Sequence, residues 1–227
     1  MAMTYRALSR LLSYPEAQLQ AEAKLCVDVA RGEGLVPERL VNALGKLAGY
    51  IEGGELYDVQ AAYVDLFDRT RSVSLHLYEH VHGESRERGP AMVGLVELYR
   101  AHGLEMDVSD LPDYLPVFLE FLSILPDTEA ASLIGEAAHV LAAIEERLKK
   151  RKSLYRAVFG ALLAISDRPA DRLAVADLLS VEDDDPNDLD AIDKAWEEEA
   201  VTFGPETASD GCPKAQAMLN TMQGTRL

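Results

Sequence analysis

From Thr4 to Leu179 apolar residues recur at helical spacing, in blocks closed by glycine or proline, and this pattern leaves an all-α fold as the reading for the chain. Thr4 is placed to cap a first helix that carries Tyr5, Leu8, Leu11 and Leu12 and ends before Pro15. Pro15 and Pro37 each open another helix. The second carries Leu19, Cys26 and Val27 and stops at Gly32 and Gly34. The third carries Leu40, Val41, Leu44 and Leu47 and stops at Gly53-Gly54. A fourth, from about Glu55 to Phe67, lines Leu56, Val59, Tyr63, Leu66 and Phe67 along one face for burial.

Residues 70 to 89 interrupt the pattern, and the segment from 74 to 89 is predicted to be a polar, functional loop. Gly89-Pro90 then starts a fifth helix that reaches Ala101 and is closed by Gly103. A sixth covers Asp113 to Leu125. A seventh runs from about Thr128 to Lys150 and ends in Arg147, Lys149 and Lys150, cations suited to a helix C-terminus. An eighth spans Leu154 to Ile165 and a ninth Ala170 to Leu179. Leu outnumbers Ile thirty-three to six, a bias toward helix because unbranched side chains lose less rotamer freedom there. With 227 residues and 48% hydrophobic content, the expected fold is all-α, a single-domain helical bundle of about nine helices over residues 1–180.

Composition then changes. Between Val181 and Ala200 ten acids face the single Lys194, a net -9 of the chain's -17, which leaves -8 elsewhere. Residues 181–227 are therefore expected to form an acidic, partly disordered C-terminal tail, with Leu189, Ile192 and Trp196 able to clip one side of a short helix onto the domain. A charge of -17 makes nucleic acid and anionic membrane surfaces poor partners, since both would repel the chain over about 10 Å, and a basic partner is its natural complement. No apolar run approaches the ~20 residues of a membrane span. The N-terminal residues lack the charged and apolar blocks of a signal peptide, so a cytoplasmic location is expected. The two cysteines, Cys26 in a helical pattern and Cys212 in the tail, are too few for a disulfide framework or a zinc site.

Two segments are too particular to be generic: Ser74-Leu-His-Leu-Tyr-Glu-His-Val-His-Gly-Glu-Ser-Arg-Glu-Arg-Gly89, and Leu111-Pro-Asp-Tyr-Leu-Pro-Val-Phe-Leu-Glu-Phe-Leu122. With Ala195-Trp-Glu-Glu-Glu-Ala-Val-Thr-Phe-Gly204 and the Tyr63-Val-Asp65-Leu-Phe67 element, they make the chain resemble the NarJ family, the delta-subunit chaperones of respiratory nitrate reductase. The resemblance implies a non-enzymatic, system-specific chaperone that carries no cofactor of its own. It would bind the N-terminal segment of the nitrate reductase catalytic (alpha) subunit and assist molybdenum cofactor insertion, as a monomer or weak homodimer.

Two rival readings stand beside it. His76-x-x-Glu79-His80 fits the H-x-x-E-H string of inverted zinc proteases, in which the histidines bind zinc and the glutamate activates water. Gly83 and Gly89-Pro90, however, leave little room for the helix this chemistry needs, and no third ligand is evident. The other rival is a helical adaptor with no cofactor role. Read as a recognition segment, the stretch presents His80, His82, Glu84, Arg86, Glu87 and Arg88 to a peptide. A purely structural reading pairs Glu84 and Glu87 with Arg88 and Arg86, and makes Ser85 a helix cap.

Asp113 has the position of an N-cap for the sixth helix, with Pro116 in its first turn. It also shares a narrow polar stripe with Pro116, Val117, Glu120 and Ser123 on an otherwise apolar helix, which predicts an acid-edged groove for a basic amphipathic partner. The wider redox-enzyme chaperone family that the chain resembles has an Asp-His pair at this place. Tyr114 stands where that histidine would be, so no titrating role is expected there. The predicted partner-binding residues are thus His80, His82, Glu84, Arg86, Glu87, Asp113, Tyr114 and Glu120.

Overall fold

The structure is a computed structural model that describes residues 2–83, 85–106 and 110–181. Among these residues it contains ten α-helices and no strand. They are α1 Met3–Leu12, α2 Ala17–Glu33, α3 Glu38–Gly53, α4 Leu56–Tyr63, α5 Leu77–His82, α6 Arg88–Ala101, α7 Leu115–Leu122, α8 Asp127–Lys150, α9 Arg156–Ile165 and α10 Arg172–Ser180. The all-α reading holds. The predicted division after residue 180 falls at the edge of the described residues, and Glu84, Trp196 and Cys212 lie outside them.

The bundle is organised around α1 and α7. Tyr5, Leu8, Leu11 and Leu12 of α1 and Leu115, Leu119, Phe121 and Leu122 of α7 are all buried, and the two helices pack against each other while α1 also packs on α2. Burying one such side chain contributes on the order of 1.5–3 kcal/mol. The Ser9 hydroxyl donates to the Pro116 carbonyl at 2.8 Å, using the acceptor of a residue whose position early in α7 costs no internal N–H bond. α2 packs on α3, α3 on α9, and α9 on α8. Cys26 is buried, as its helical register requires.

Two helix starts depart from expectation. Thr4 lies inside α1, which begins at Met3. The capping group is instead Glu33 at the end of α2, whose carboxylate accepts from the Met3 and Thr4 amides, each at 2.8 Å, and from the Thr4 hydroxyl at 2.6 Å. A carboxylate satisfies orphan donors at a helix N-terminus as well as a local cap does, and its charge complements the helix dipole. For α10 the cap is local, Asp171 accepting from the Leu173 amide at 2.9 Å.

The larger departure is in the segment predicted to be a polar loop. After α4 the chain makes a π-helical turn, Val64–Asp68, and a 3₁₀ turn, Arg71–Val73, and then forms the six-residue helix α5. Val73, Leu75 and Leu77 are buried in the core. These apolar anchors make the segment a structured part of the bundle, with only its α5–α6 end facing solvent.

Candidate functional site

Asp113 organises the region that the sequence singled out. Its side chain is fully buried, which corrects its placement on an exposed stripe and as the cap of α7. The residue before α7 is Tyr114, which makes no side-chain cap. The Asp113 carboxylate instead reaches the start of α5, where Oδ2 accepts from the Tyr78 amide at 3.1 Å and the backbone carbonyl accepts from the Leu77 amide at 3.0 Å. It thus caps α5 from a different part of the chain. The Leu115 amide donates to the Leu75 carbonyl at 2.8 Å, and His76 and Tyr114 form an isolated antiparallel bridge. These bonds fasten α5 to the start of α7.

His76 completes this arrangement. Its Nδ1 lies 3.3 Å from Asp113 Oδ1, and because a carboxylate only accepts, Nδ1 is the protonated nitrogen. The hydrogen bond to Asp113 raises the His76 pKa above the ordinary value, against an opposing effect of burial. Arg88 at the start of α6 lies 3.3 Å from Glu79 and 3.9 Å from Asp113; the predicted pairing with Glu84 lies outside the described residues. The His76 ring also faces Tyr114 at 5.3 Å, and the Tyr114 hydroxyl lies 3.2 Å from that of Tyr63. Tyr114 leaves Asp113 without a histidine next to it in sequence, and the fold brings one to it from position 76.

The zinc reading fails on the same geometry. His76 precedes α5 and turns its Nδ1 to Asp113, while His80 Nε2 donates to the Ser74 carbonyl at 2.8 Å. Among the described residues no group of three or more His, Cys, Asp or Glu side chains is placed to hold a metal. Burial lowers the His80 pKa, against the opposing effect of the bond to the Ser74 carbonyl, because desolvation disfavours the charged imidazole. Of the remaining predicted contacts, His82 packs edge-on against Tyr78 at 5.4 Å. Arg86 and Glu87 are exposed.

Glu120 is exposed on α7 and lies where two surface clefts meet. One, of about 320 Å³, is lined by Leu104, Met106, Val117, Phe121 and Ile124 together with Glu105, Asp110 and Glu120. The other, of about 380 Å³, runs between α1 and α2 past Met3, Ala7, Leu25 and Val29. Both include Arg6 and Glu120. Of the predicted stripe, Val117, Glu120 and Ser123 line the first cleft and Asp113 does not. The contribution of α1 and α2 was not legible, because their helical pattern reads as core on one side and solvated surface on the other.

The described residues thus form a helical bundle in which the buried Asp113, bonded to the half-buried His76, holds α5 to α7, with surface clefts around Glu120. The family described as nitrate reductase delta subunit matches residues 35–161, and the chain belongs to it. The nitrate reductase molybdenum cofactor assembly chaperone NarJ of Escherichia coli (strain K12) is 42% identical over 208 residues, which cover 90% of this chain and 85% of the relative. The probable chaperone NarJ of Bacillus subtilis (strain 168) is 30% identical over 168 residues, 71% of this chain and 87% of the relative. These relatives are named as assembly chaperones, not as catalysts. A crystal structure of a putative redox enzyme maturation protein from Archaeoglobus fulgidus matches with a TM-score of 0.51 at 21% identity, covering 70% of this chain and 88% of that one, and agrees in fold. No helix among the described residues is long and apolar enough to cross a membrane.

Proposed function

We propose that the chain is a cytoplasmic chaperone, not an enzyme, for the catalytic subunit of a respiratory nitrate reductase. It acts by holding that subunit's N-terminal segment while the molybdenum cofactor is inserted. The observation that carries the binding mode is the cleft around Val117 and Glu120, lined by Leu104, Phe121 and Ile124 and by three carboxylates, Glu105, Asp110 and Glu120, with one cation, Arg6. Such a surface suits the apolar face of an amphipathic helix flanked by basic residues. The net charge of -17 steers a basic segment toward it, and apolar burial supplies most of the affinity. The exposed Arg86 and Glu87 and the half-buried His82 on the α5–α6 turn offer further contacts. Asp113 and Tyr114 act by holding α5 against α7, and His80 by fixing the Ser74 end of that segment.

Calorimetric titration of a synthetic N-terminal peptide of the catalytic subunit into the full chain tests this reading. Val117→Asp, which places a carboxylate on the groove wall, should weaken binding at least tenfold while leaving the circular dichroism spectrum unchanged. Equal affinity for the variant and the wild type would remove the groove from the proposal.

A further inference from the structure

A cleft of about 290 Å³ is lined by α3 together with the turn that joins α8 to α9, and its lining holds four cations and no acid, in a chain of net charge -17. Lys46 comes from α3, Lys149 from the last turn of α8, Lys152 from the connecting turn and Arg156 from the start of α9. Lys149 is paired with Glu146 at 2.9 Å. Lys46, Lys152 and Arg156 form no ion pair among the described residues, although Arg156 and Lys149 act at longer range on the half-buried Glu145. The Ser153 hydroxyl, also on the lining, accepts from the Tyr155 amide at 3.3 Å, which leaves its own proton to donate.

A helix C-terminus attracts cations, which accounts for Lys149 and Lys150. It accounts for neither Lys46, inside α3, nor Arg156, whose place in the first turn of α9 sets a cation where the dipole disfavours one. Lys152 is the sharper case. At the end of α8 the Ser153 amide donates to the Leu148 carbonyl at 2.9 Å and the Lys152 amide to the Lys149 carbonyl at 3.0 Å, and this pattern puts position 152 in the left-handed conformation that glycine adopts at least cost. Lys152 has φ 56° and is the one non-glycine residue with a positive φ among the described residues. The chain thus keeps a cation on the cleft against its backbone preference.

We infer that this cleft binds the phosphate group of a small soluble molecule, with Arg156 as the two-pronged donor, Lys46 and Lys152 neutralising the remaining charge, and the Ser153 hydroxyl completing the set. Three unpaired cations match a group that carries two or more negative charges, which a single carboxylate does not, and guanidinium and ammonium groups both pair well with phosphate oxygens. The volume stands at the lower end of small-ligand sites, which begin at about 300 Å³, and so fits a phosphate with a small body and not a polymer. Nucleic acid and anionic bilayers are repelled by the charge of the whole chain, whereas a small anion in the cleft feels mainly the cations within about 8 Å. The cleft shares no residue with the two around Glu120.

Calorimetric titration of inorganic pyrophosphate into the full chain, in a chloride buffer near neutral pH, tests the inference. The wild type should show saturable binding at one site. R156A and K46A should each weaken it about tenfold, as loss of a charge-assisted bond does. K150A removes an exposed cation outside the cleft and should leave the affinity within about twofold, since exposed charges at a distance are screened. K152G should weaken binding about as much as R156A while keeping or raising the melting temperature, because glycine relieves the left-handed backbone. A Lys152 with a purely structural role would leave the affinity unchanged. The titration needs no catalytic subunit, so its outcome is independent of the peptide groove. No saturable binding, an equal loss with K150A, wild-type affinity in K152G, or capture by phosphatidylglycerol vesicles without binding of pyrophosphate would each overturn the assignment.

Discussion

The Asp113 carboxylate and the His76 imidazole meet at 3.3 Å although they are 37 positions apart, and their pairing fixes the start of α5 against the start of α7. Asp113 is fully buried. Replacing it with Ala strands the Tyr78 amide and the His76 Nδ1–H, and an unsatisfied buried group costs about 1–3 kcal/mol. Urea denaturation of Asp113→Ala should therefore show a loss of at least that size. A change below about 0.5 kcal/mol, usual for a surface substitution, would contradict the capping role.

The two histidines of this segment should respond to pH in opposite directions. The folded-state pKa of His76 is raised by its bond to Asp113, with the charges of Asp113 and Glu79 helping, and burial and Arg88 opposing. Asp68 also faces it. The folded protein therefore holds the His76 proton more tightly than the unfolded chain does, and the resulting stability is complete below about pH 6.5 and lost as pH rises through the raised value. For His80, lowered by burial, the stability is present above about pH 6.5 and lost as pH falls. Unfolding free energies of His76→Gln and His80→Gln, each compared with wild type from pH 5.5 to 8.5, should show differences of opposite slope. Parallel slopes would refute the assignment.

Glu33 should act as the cap of α1. Burial alone would raise its pKa, but the bonds from the Thr4 hydroxyl and the Thr4 and Met3 amides outweigh this and lower it. Its contribution is then present above the ordinary carboxylate range and lost as pH falls through the depressed value. Glu33→Ala should cost about 1 kcal/mol at pH 7, as loss of an N-cap does. The difference from wild type should shrink in acid. A difference that persists unchanged to pH 3 would point to packing alone.

Which features were legible follows from how local their causes are. α2, α3 and α8 were readable because an apolar face repeats over many turns between glycine and proline stops. α5 was not, since six residues with two histidines and a glutamate carry too few turns to show a period. Its helicity depends on Leu77 reaching the core and on a cap supplied from position 113. Asp113 was misread for the same reason: its local sequence fits an N-cap for α7, whereas the donors it satisfies come from residues 76 and 78. Arg147, expected as a cation at a helix C-terminus, turns inward to three carbonyls that only the folded chain brings together. The polar position of Glu120 was correctly read, because an isolated acid on a helix otherwise buried must face out.

The most direct measurement of the chaperone claim is the molybdenum content of the nitrate reductase catalytic subunit matured in cells that supply this chain as the sole assembly chaperone. With the wild type the subunit should carry near-stoichiometric molybdenum. With Val117→Asp combined with Ile124→Asp on the groove wall, in a protein that still folds, the content should fall by about tenfold, in keeping with a lost binding contribution of about 1.4 kcal/mol or more. Full molybdenum loading with the groove variant, or in the absence of the chain, would contradict the account. A helical adaptor would give the second of these results, while the subunit still bound the chain wherever the chain was supplied.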